Sequence, residues 1–278
     1  MIDLRQGDCL ELMKNIPDKS IDMICCDLPY GCGKTYNKWD KLIPIEKLWE
    51  QYNRIIKEDG IICLFSQEPF TSQLIISNLT NYRYKWIWKK ESPLGFLNAN
   101  YKPLGISEEI CIFSNYTVGS ASKHKIRYNP QGVIEINKQK RNNPNSTWRK
   151  NKGYSVGGNK LNSNEPFVQK YTNYPIEILS FSRDKKTYHP TQKPVALLEY
   201  LIRTYTNENE VVLDNCAGSM STAIACLNTN RNGIMIEKDE HYFEVGCKRI
   251  KQHILDNNIN LCYNQVRGGV IWQNLKIG

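Results

Sequence analysis

Apolar residues of this chain gather in short runs that are separated by longer stretches with helical spacing. Short apolar runs bounded by Gly, Pro or charged residues are typical of strands buried on both faces of a parallel sheet. The predicted buried strands are residues 21–26, 61–65, 109–113, 211–214 and 233–237.

Helices are predicted between these strands. Pro44 and Pro194 each begin a helix, because proline is favoured at the start of the first turn. Gly60 is expected to end the first of these helices, and Asp239 is expected to cap the last helix of the chain. The alternation of strands and helices favours an α/β fold with a doubly wound, mostly parallel sheet. Residues 257–278 show no clear pattern and are assigned as a C-terminal tail.

The formal net charge of +9 is concentrated in residues 115–188. This segment holds 14 Lys and Arg against 4 Asp and Glu, whereas the rest of the chain holds 23 against 24. A long solvated loop or disordered linker is one interpretation. Aromatic residues among the basic ones favour an insertion that contacts nucleic acid through phosphates and stacked bases. The candidate nucleic-acid-binding residues are Lys138, Lys140, Arg141, Arg149, Lys150 and Lys152.

Several other classes of protein do not fit the sequence. No run approaches the roughly 18 apolar residues of a membrane span, and the first residues lack the features of a signal peptide, so a cytoplasmic protein is expected. The ten cysteines have no C-x-x-C spacing and often lie in apolar runs, which favours reduced core residues over a zinc site. A phosphate-binding loop at Gly33-Lys34-Thr35 is excluded because Leu28 occupies the position of its first glycine.

The run 21–26 ends in Asp27-Leu28-Pro29-Tyr30. Ligands of open α/β sheets bind beyond the carboxyl ends of the strands, so a carboxylate, a proline and an aromatic ring are expected where chemistry would occur. The alternative is a turn that only ends a strand, since Asp and Pro are common there.

The second half of the chain has the pattern of a nucleoside-cofactor site. A strand ending at Asp214 leads into a small-residue loop and a helix, whose first N–H groups are available to an anion. Glu237 ends the next strand, 23 residues after Asp214, near the usual distance for an acid that binds ribose hydroxyls. Only Gly218 fits the dinucleotide fingerprint, which favours a cofactor with a carboxylate over one with a pyrophosphate. An ordinary βαβ unit could also end a strand in Glu.

Taken together, these motifs and their order resemble the S-adenosylmethionine-dependent DNA amino-methyltransferases of the β group. The resemblance is carried by Asp27-Leu28-Pro29-Tyr30, the basic segment, His189-Pro190-Thr191-Gln192-Lys193-Pro194, and Asp214 followed by Gly218-Ser219. It implies a Rossmann-like methyltransferase fold. Residues 1–114 would form the catalytic half, 115–188 a target-recognition insertion, and 189–256 the half that binds S-adenosylmethionine.

The resemblance also implies roles for individual residues. Those that would hold the target base are Asp27, Leu28, Pro29 and Tyr30, and those that would bind the cofactor are Asp8, Cys9, Thr191, Lys193, Asp214, Gly218, Ser219 and Glu237. Three departures from the family pattern stand out. Leu28 replaces the usual first proline, Asn215-Cys216 replaces a Pro-Phe pair, and Met220 replaces a loop glycine.

The implied activity is methyl transfer to the exocyclic N6 amine of an adenine flipped out of duplex DNA. Asp27 favours adenine, because relatives that modify cytosine more often carry Ser at this position. A cytosine-N4 methyltransferase and a DNA-binding regulator that has lost catalysis are the alternatives, and an RNA substrate is less favoured. No metal and no membrane are expected, and the sequence leaves open a homodimer and a cognate restriction endonuclease.

Overall fold

A computed structural model describes residues 1–31, 41–119, 121–140, 167–266 and 268–273. The helices are α1 (Cys9–Met13), α2 (Ile45–Ile55), α3 (Phe70–Ser77), α4 (Val195–Tyr205), α5 (Ser221–Asn228) and α6 (Glu240–Asp256). The strands are β1 (Ile2–Gln6), β2 (Ile21–Asp27), β3 (Ile56–Ser66), β4 (Tyr82–Leu94), β5 (Gly105–Phe113), β6 (Ile134–Lys140), β7 (Phe167–Thr172), β8 (Ile178–Ser180), β9 (Val211–Asp214), β10 (Asn232–Glu237), β11 (Cys262–Val266) and β12 (Gly269–Gln273).

Ten of these strands form one sheet, in the order β11-β12-β1-β10-β9-β2-β3-β5-β4-β8. The five central strands are β1, β10, β9, β2 and β3, and they are parallel to one another. On either side of them, β12 and β5 pair antiparallel. The predicted doubly wound, mostly parallel sheet is confirmed. Strand β2 lies beside β9, with Ile24 opposite Leu213, so the chain segments after Asp27 and Asp214 leave the same edge of the sheet.

Helices cover both faces of the sheet, which explains why its central strands carry runs of buried apolar residues. Along β2, Met23 and Cys25 are buried in a cluster with residues of α4, α5 and α6. The alternating residues Ile24 and Cys26 are buried in a second cluster with residues of α1, α2 and α3. Each strand residue therefore meets an apolar layer, whichever way its side chain points.

Two expectations about element boundaries are wrong. Helix α2 ends at Ile55, and Gly60 lies inside β3, where a Cβ atom would come within 2.6 Å of the Ile56 side chain. The glycine thus permits a close approach within the strand and does not stop the helix. The segment assigned as a C-terminal tail contains the hairpin β11–β12, and β12 pairs with β1. Its short alternating strands extend the sheet at one edge.

The basic segment 115–188 contacts the central domain at both of its ends. Near its start, Arg127 forms ion pairs with Asp59 and Glu210, and near its end β8 pairs with β4. Between them, β6 and β7 form a separate two-stranded sheet. The boundaries predicted for this insertion stay a prediction.

The predicted DNA-binding residues are only partly visible. Lys138 and Lys140 are exposed on β6, whereas Arg141, Arg149, Lys150 and Lys152 lie outside the described residues. In the described part of the chain, no helix combines the length and the apolar character needed to cross a membrane.

Candidate active site

A cavity of about 810 Å³ lies at the carboxyl edge of the parallel strands. Its size falls within the usual range for small-molecule sites. All twelve residues predicted to be catalytic or to bind cofactor line it: Asp8, Cys9, Asp27, Leu28, Pro29, Tyr30, Thr191, Lys193, Asp214, Gly218, Ser219 and Glu237. The pairing of β2 with β9 brings the two halves of the motif set together.

The Asp27 carboxylate lies at the end of β2 and is held from two sides. The Tyr30 hydroxyl donates a hydrogen bond of 2.9 Å to Oδ1, and the Lys193 ammonium donates one of 2.5 Å to Oδ2. The Tyr30 ring stacks on Phe70, with 5.2 Å between the ring centroids. Burial raises the pKa of Asp27, and the charge of Lys193 opposes that rise.

Lys193 links Asp27 to two residues that the sequence analysis did not single out. Its ammonium lies 3.2 Å from a carboxylate oxygen of Glu108, and Lys90 forms a second ion pair with the same carboxylate. Burial alone would raise the pKa of Glu108, but Lys193 and Lys90 outweigh burial and lower it. Two buried lysines thus alternate with two carboxylates. In the sequence, the two adjacent acids Glu108 and Glu109 directly precede an apolar run, and this pattern could have indicated a buried ion-pair site.

The departure from proline at Leu28 has a structural explanation. Only 4% of Leu28 is exposed, and its side chain belongs to the apolar cluster that α2 and α3 complete. With Leu48 and Phe70, it also lines a smaller cavity of about 250 Å³ beside the main one. Leu28 therefore serves as a core residue behind the turn that follows β2.

The loop after β9 keeps the backbone shape expected of a small-residue loop. Gly218 has a φ of +50°, and its N–H donates a 2.7 Å hydrogen bond to Oε2 of Glu237. The other oxygen of Glu237 accepts a 2.7 Å hydrogen bond from the N–H of Asp239. Burial raises the pKa of Glu237. The acid at the end of β10 is thus held directly against the loop.

Met220 stands where the family pattern has a glycine, and it keeps the left-handed conformation that glycine favours, with φ +63°. Its side chain is fully buried against α6, where Gly246 makes room. A Cβ atom at Gly246 would lie 2.2 Å from Cγ of Met220. The departure at Met220 is therefore compensated on the neighbouring helix.

The other residues predicted to bind cofactor surround the cavity with hydrogen-bonding groups. Asp8 caps α1 through the N–H of Leu10 and pairs with Lys238 at 3.0 Å. The Ser219 hydroxyl donates a 3.1 Å hydrogen bond to Gln192, which follows Thr191. The motif around Thr191 and Lys193 therefore contacts both the loop after β9 and the Asp27 carboxylate.

Asp214 is buried behind the loop and accepts hydrogen bonds from the Thr222 hydroxyl at 2.6 Å and the Cys216 N–H at 3.1 Å. Burial raises its pKa from 3.8 to about 6. A carboxyl with a raised folded-state pKa binds its proton more tightly in the folded state, so its contribution to stability falls as pH rises from about 4 through 6. We expect Asp214→Asn to lose this dependence; its amide oxygen can still accept from the Cys216 N–H, while its NH2 group would donate to the Thr222 hydroxyl.

The measurement compares the free energy of unfolding of wild type and Asp214→Asn at pH 4.5 and 7.5. Between pH 4.5 and pH 7.5, the free energy of unfolding of the wild type should fall by about 2 kcal/mol relative to that of Asp214→Asn. Asp18→Asn is the control for removing a carboxylate outside the cavity, because Asp18 is largely exposed. Equal pH dependence in wild type and Asp214→Asn would contradict the prediction.

Comparisons with known proteins agree with this geometry. A family described as DNA methylase matches residues 21–248, which is most of the chain. The protein belongs to this DNA methylase family.

Individual relatives share about a quarter of their residues with this chain. The chain is 25% identical to the type II methyltransferase M.HpaI of Haemophilus parainfluenzae, over 95% of this chain and 81% of the relative. It is also 25% identical to the DNA adenine methyltransferase YhdJ of Escherichia coli K12, over 88% of this chain and 81% of that protein.

Solved structures support the fold. The complex of M1.HpyAVI with SAM aligns with a TM-score of 0.58 and 24% identity, over 90% of this chain and 99% of that one. The cytosine-N4-specific PvuII DNA methyltransferase aligns with a TM-score of 0.63 and 16% identity, over 93% and 88%. At these identities the likeness concerns the fold alone, and the confirmed fold is that of Rossmann-like methyltransferases.

Proposed function

We propose that this protein is a site-specific DNA methyltransferase that transfers a methyl group from S-adenosylmethionine to the N6 amine of adenine in duplex DNA. The observation that carries the proposal is that Asp27 lines the same cavity as Gly218 and Glu237, which are joined by a hydrogen bond. The names of YhdJ, a DNA adenine methyltransferase, and of the type II methyltransferase M.HpaI support it. Asp27 itself favours adenine over cytosine.

The charge of the cavity fits S-adenosylmethionine. Its described lining contains seven carboxylates, Asp8, Asp27, Glu68, Glu108, Asp214, Glu237 and Asp239, against the three lysines Lys41, Lys193 and Lys238. Burial, followed by the charge of Lys193, lowers the pKa of His189 to about 4, so this lining residue is neutral at pH 7. An acidic cavity favours a cofactor that carries a positive sulfonium group.

Specific residues would hold each part of this cofactor. Glu237 would accept hydrogen bonds from the ribose hydroxyls, since its carboxylate faces the cavity from the end of β10. Asp8 and Cys9 would lie near the adenine, and the hydroxyl of Ser219 near the methionine end. When bound, S-adenosylmethionine supplies an electrophilic methyl group.

Asp27 and Pro29 orient the target amine in this proposal. An exocyclic amine is a poor nucleophile because its lone pair is delocalised into the ring. If the Asp27 carboxylate and the Pro29 carbonyl accept its two N–H bonds, the lone pair points out of the ring plane, so the rate gain comes from orientation and preorganised charge. Asp27 can accept this bond while it keeps those from Tyr30 and Lys193, because a carboxylate offers about four lone-pair sites.

Replacing Glu237 by alanine is expected to weaken cofactor binding with a much smaller effect on the chemical step. Hydrogen bonds to a charged group contribute about 1.5–3 kcal/mol, which corresponds to a roughly 10–100-fold higher Kd for S-adenosylmethionine. Titration calorimetry measures this Kd. Glu240→Ala is the control, because Glu240 is exposed three residues further on and does not line the cavity. An unchanged Kd in Glu237→Ala would remove this residue from the proposed site.

The activity is tested by modification-sensitive long-read sequencing of DNA from cells that express the protein. N6-methyladenine at one recurring sequence is the expected result, and that sequence is the recognition site. N4-methylcytosine would replace the adenine assignment by the cytosine alternative. No modification, together with no cofactor-dependent heat in calorimetry, would indicate the DNA-binding regulator.

Further proposals concern location and partners. A location in the cytoplasm on nucleoid DNA is proposed because the proposed substrate is duplex DNA, and fluorescence microscopy of a tagged chain tests it. A homodimer is tested by sedimentation at several concentrations. A cognate restriction endonuclease is tested by cutting of unmethylated DNA that carries the recognition site.

A further inference from the structure

The hairpin formed by β4 and β5 projects beyond the carboxyl ends of the parallel strands, where the cavity lies. Strand β5 runs antiparallel to β3, and Glu109 pairs with Ser66 at the end of β3. The four residues from Glu109 back to Gly105 therefore extend past that edge by about 13 Å, at roughly 3.3 Å per residue. Leu94 of β4 still pairs with Gly105, so the turn that joins the two strands is the most distant part.

The tip of this hairpin is apolar and almost fully exposed. Phe96 is 67% exposed, Leu97 97% and Tyr101 87%. Between residues 92 and 107 there is a single charged residue, Lys102, which is basic. Three neighbouring large apolar side chains at one protruding tip, without a negative charge, are characteristic of a contact surface.

The base of the hairpin is tied to the cavity. Glu108 on β5 lines the cavity and holds Lys193 beside Asp27. Gln67, which also lines the cavity, donates a 3.4 Å hydrogen bond to the carbonyl of Ser107. The tip therefore has a set position relative to the place where the target base would be held.

We infer that Phe96, Leu97 and Tyr101 form an apolar wedge that inserts into the DNA duplex beside the target base. This inference rests on the proposed function, because it requires a base that leaves the duplex for the cavity. Such a base leaves a gap in the stack, and apolar side chains inserted between base steps are a known means of stabilising an unstacked duplex. The partner at the tip is then the same DNA that supplies the base, and the lack of acidic residues suits its phosphates.

The test uses two duplexes that carry the recognition sequence found by sequencing. In one the target adenine is paired with thymine, and in the other an abasic position lies opposite it, so that less pairing energy opposes flipping. For Leu97→Ala and for the triple variant Phe96→Ala, Leu97→Ala, Tyr101→Ala, kcat/KM on the paired duplex should fall roughly tenfold or more. On the abasic-partner duplex the loss should stay below about threefold, since the wedge acts on flipping.

The matched control is Leu79→Ala. Leu79 is 66% exposed but lies just before β4 begins, at the opposite edge of the sheet, because Tyr82 pairs with Phe113 at the far end of β5. It should leave both rates unchanged. Fluorescence of 2-aminopurine at the target position gives a second readout, and the rise seen with wild type should be reduced in the triple variant.

Each other outcome overturns the inference. Equal loss on the two duplexes would indicate general damage or simple loss of DNA affinity, and unchanged rates would show that the tip has no part in flipping. A smaller mass in sedimentation for the triple variant, with rates unchanged, would assign the tip to contacts between copies of this chain. A wild-type protein that methylates neither duplex would refute the proposed function as well, which separates that failure from failure of the wedge alone.

Discussion

Replacing Asp27 by alanine is expected to lower the rate of methyl transfer by on the order of 10³-fold or more while cofactor binding survives. The variant loses the acceptor that orients the target amine. The Glu237 carboxylate and the Gly218 N–H, which contact each other and not Asp27, keep their hydrogen bond. Single-turnover methylation of a duplex with the recognition site measures the rate, and calorimetry measures the Kd for S-adenosylmethionine.

Two further variants make this expectation specific. Asp27→Asn keeps the size of the side chain but presents an amide N–H in place of one acceptor, so it should also lose most of the rate. Asp18→Ala, at an exposed carboxylate paired with Arg54, should keep the full rate. Appreciable methylation by Asp27→Ala would refute the assignment of this residue, and a large change in cofactor Kd would indicate damage to the whole cavity.

Replacing Lys193 by methionine is expected to lower activity at neutral pH and to shift the pH–rate profile. The change removes the cation that lies between the Asp27 and Glu108 carboxylates, 2.5 and 3.2 Å from them. Burial already raises the pKa of Asp27, so loss of Lys193 should raise it further. An ionised Asp27 is a stronger acceptor for an amine N–H than a neutral carboxyl is, and the acid limb of the profile should therefore move to higher pH.

The expected loss at pH 7 is roughly 10–100-fold, with partial recovery at pH 9. Adding Glu108→Gln should move the acid limb back toward that of wild type, because it removes the like charge. Lys90→Met is the matched control, since Lys90 is equally buried and pairs with Glu108 but does not contact Asp27. Lys90→Met should lower the free energy of unfolding by about as much as Lys193→Met does, about 3–5 kcal/mol for a broken buried ion pair. Its pH–rate profile should shift less than that of Lys193→Met.

A uniform loss of activity at every pH in Lys193→Met would contradict this account. It would assign Lys193 to holding the cofactor, which is the role that the family resemblance implies for it. Measurement of the Kd for S-adenosylmethionine in the same variant separates the two roles.

Much of the fold was predictable from local patterns. Apolar runs identified β2 and β9 because a strand covered by helices on both faces is apolar at most of its positions. Pro44 and Pro194 precede α2 and α4, and the Asp239 side chain caps α6 by accepting from the N–H of Tyr242. These features depend on neighbouring residues only, which is why one sequence is enough to find them.

Other elements were missed because their stability comes from distant partners. Gly60 looks like a helix stop, yet the chain is already extended from Ile56 because that strand pairs with β2. The hairpin β11–β12 has short strands with weak apolar character, and it forms on the edge that β1 provides. The spacing of residues within β11 and β12 does not show that β1 lies at the edge of the parallel strands and can pair with another strand.

The sequence by itself determined the family motifs, the order of the catalytic and cofactor halves, and the residues Asp27 and Glu237 at the ends of two buried strands. Only the tertiary structure decided that Glu108 and Lys193, 85 positions apart in the chain, meet beside Asp27. The physical reason is the order and direction of the strands. Because β5 runs antiparallel beside β3, its first residues reach the same edge at which β2 ends, and no local pattern specifies that neighbour.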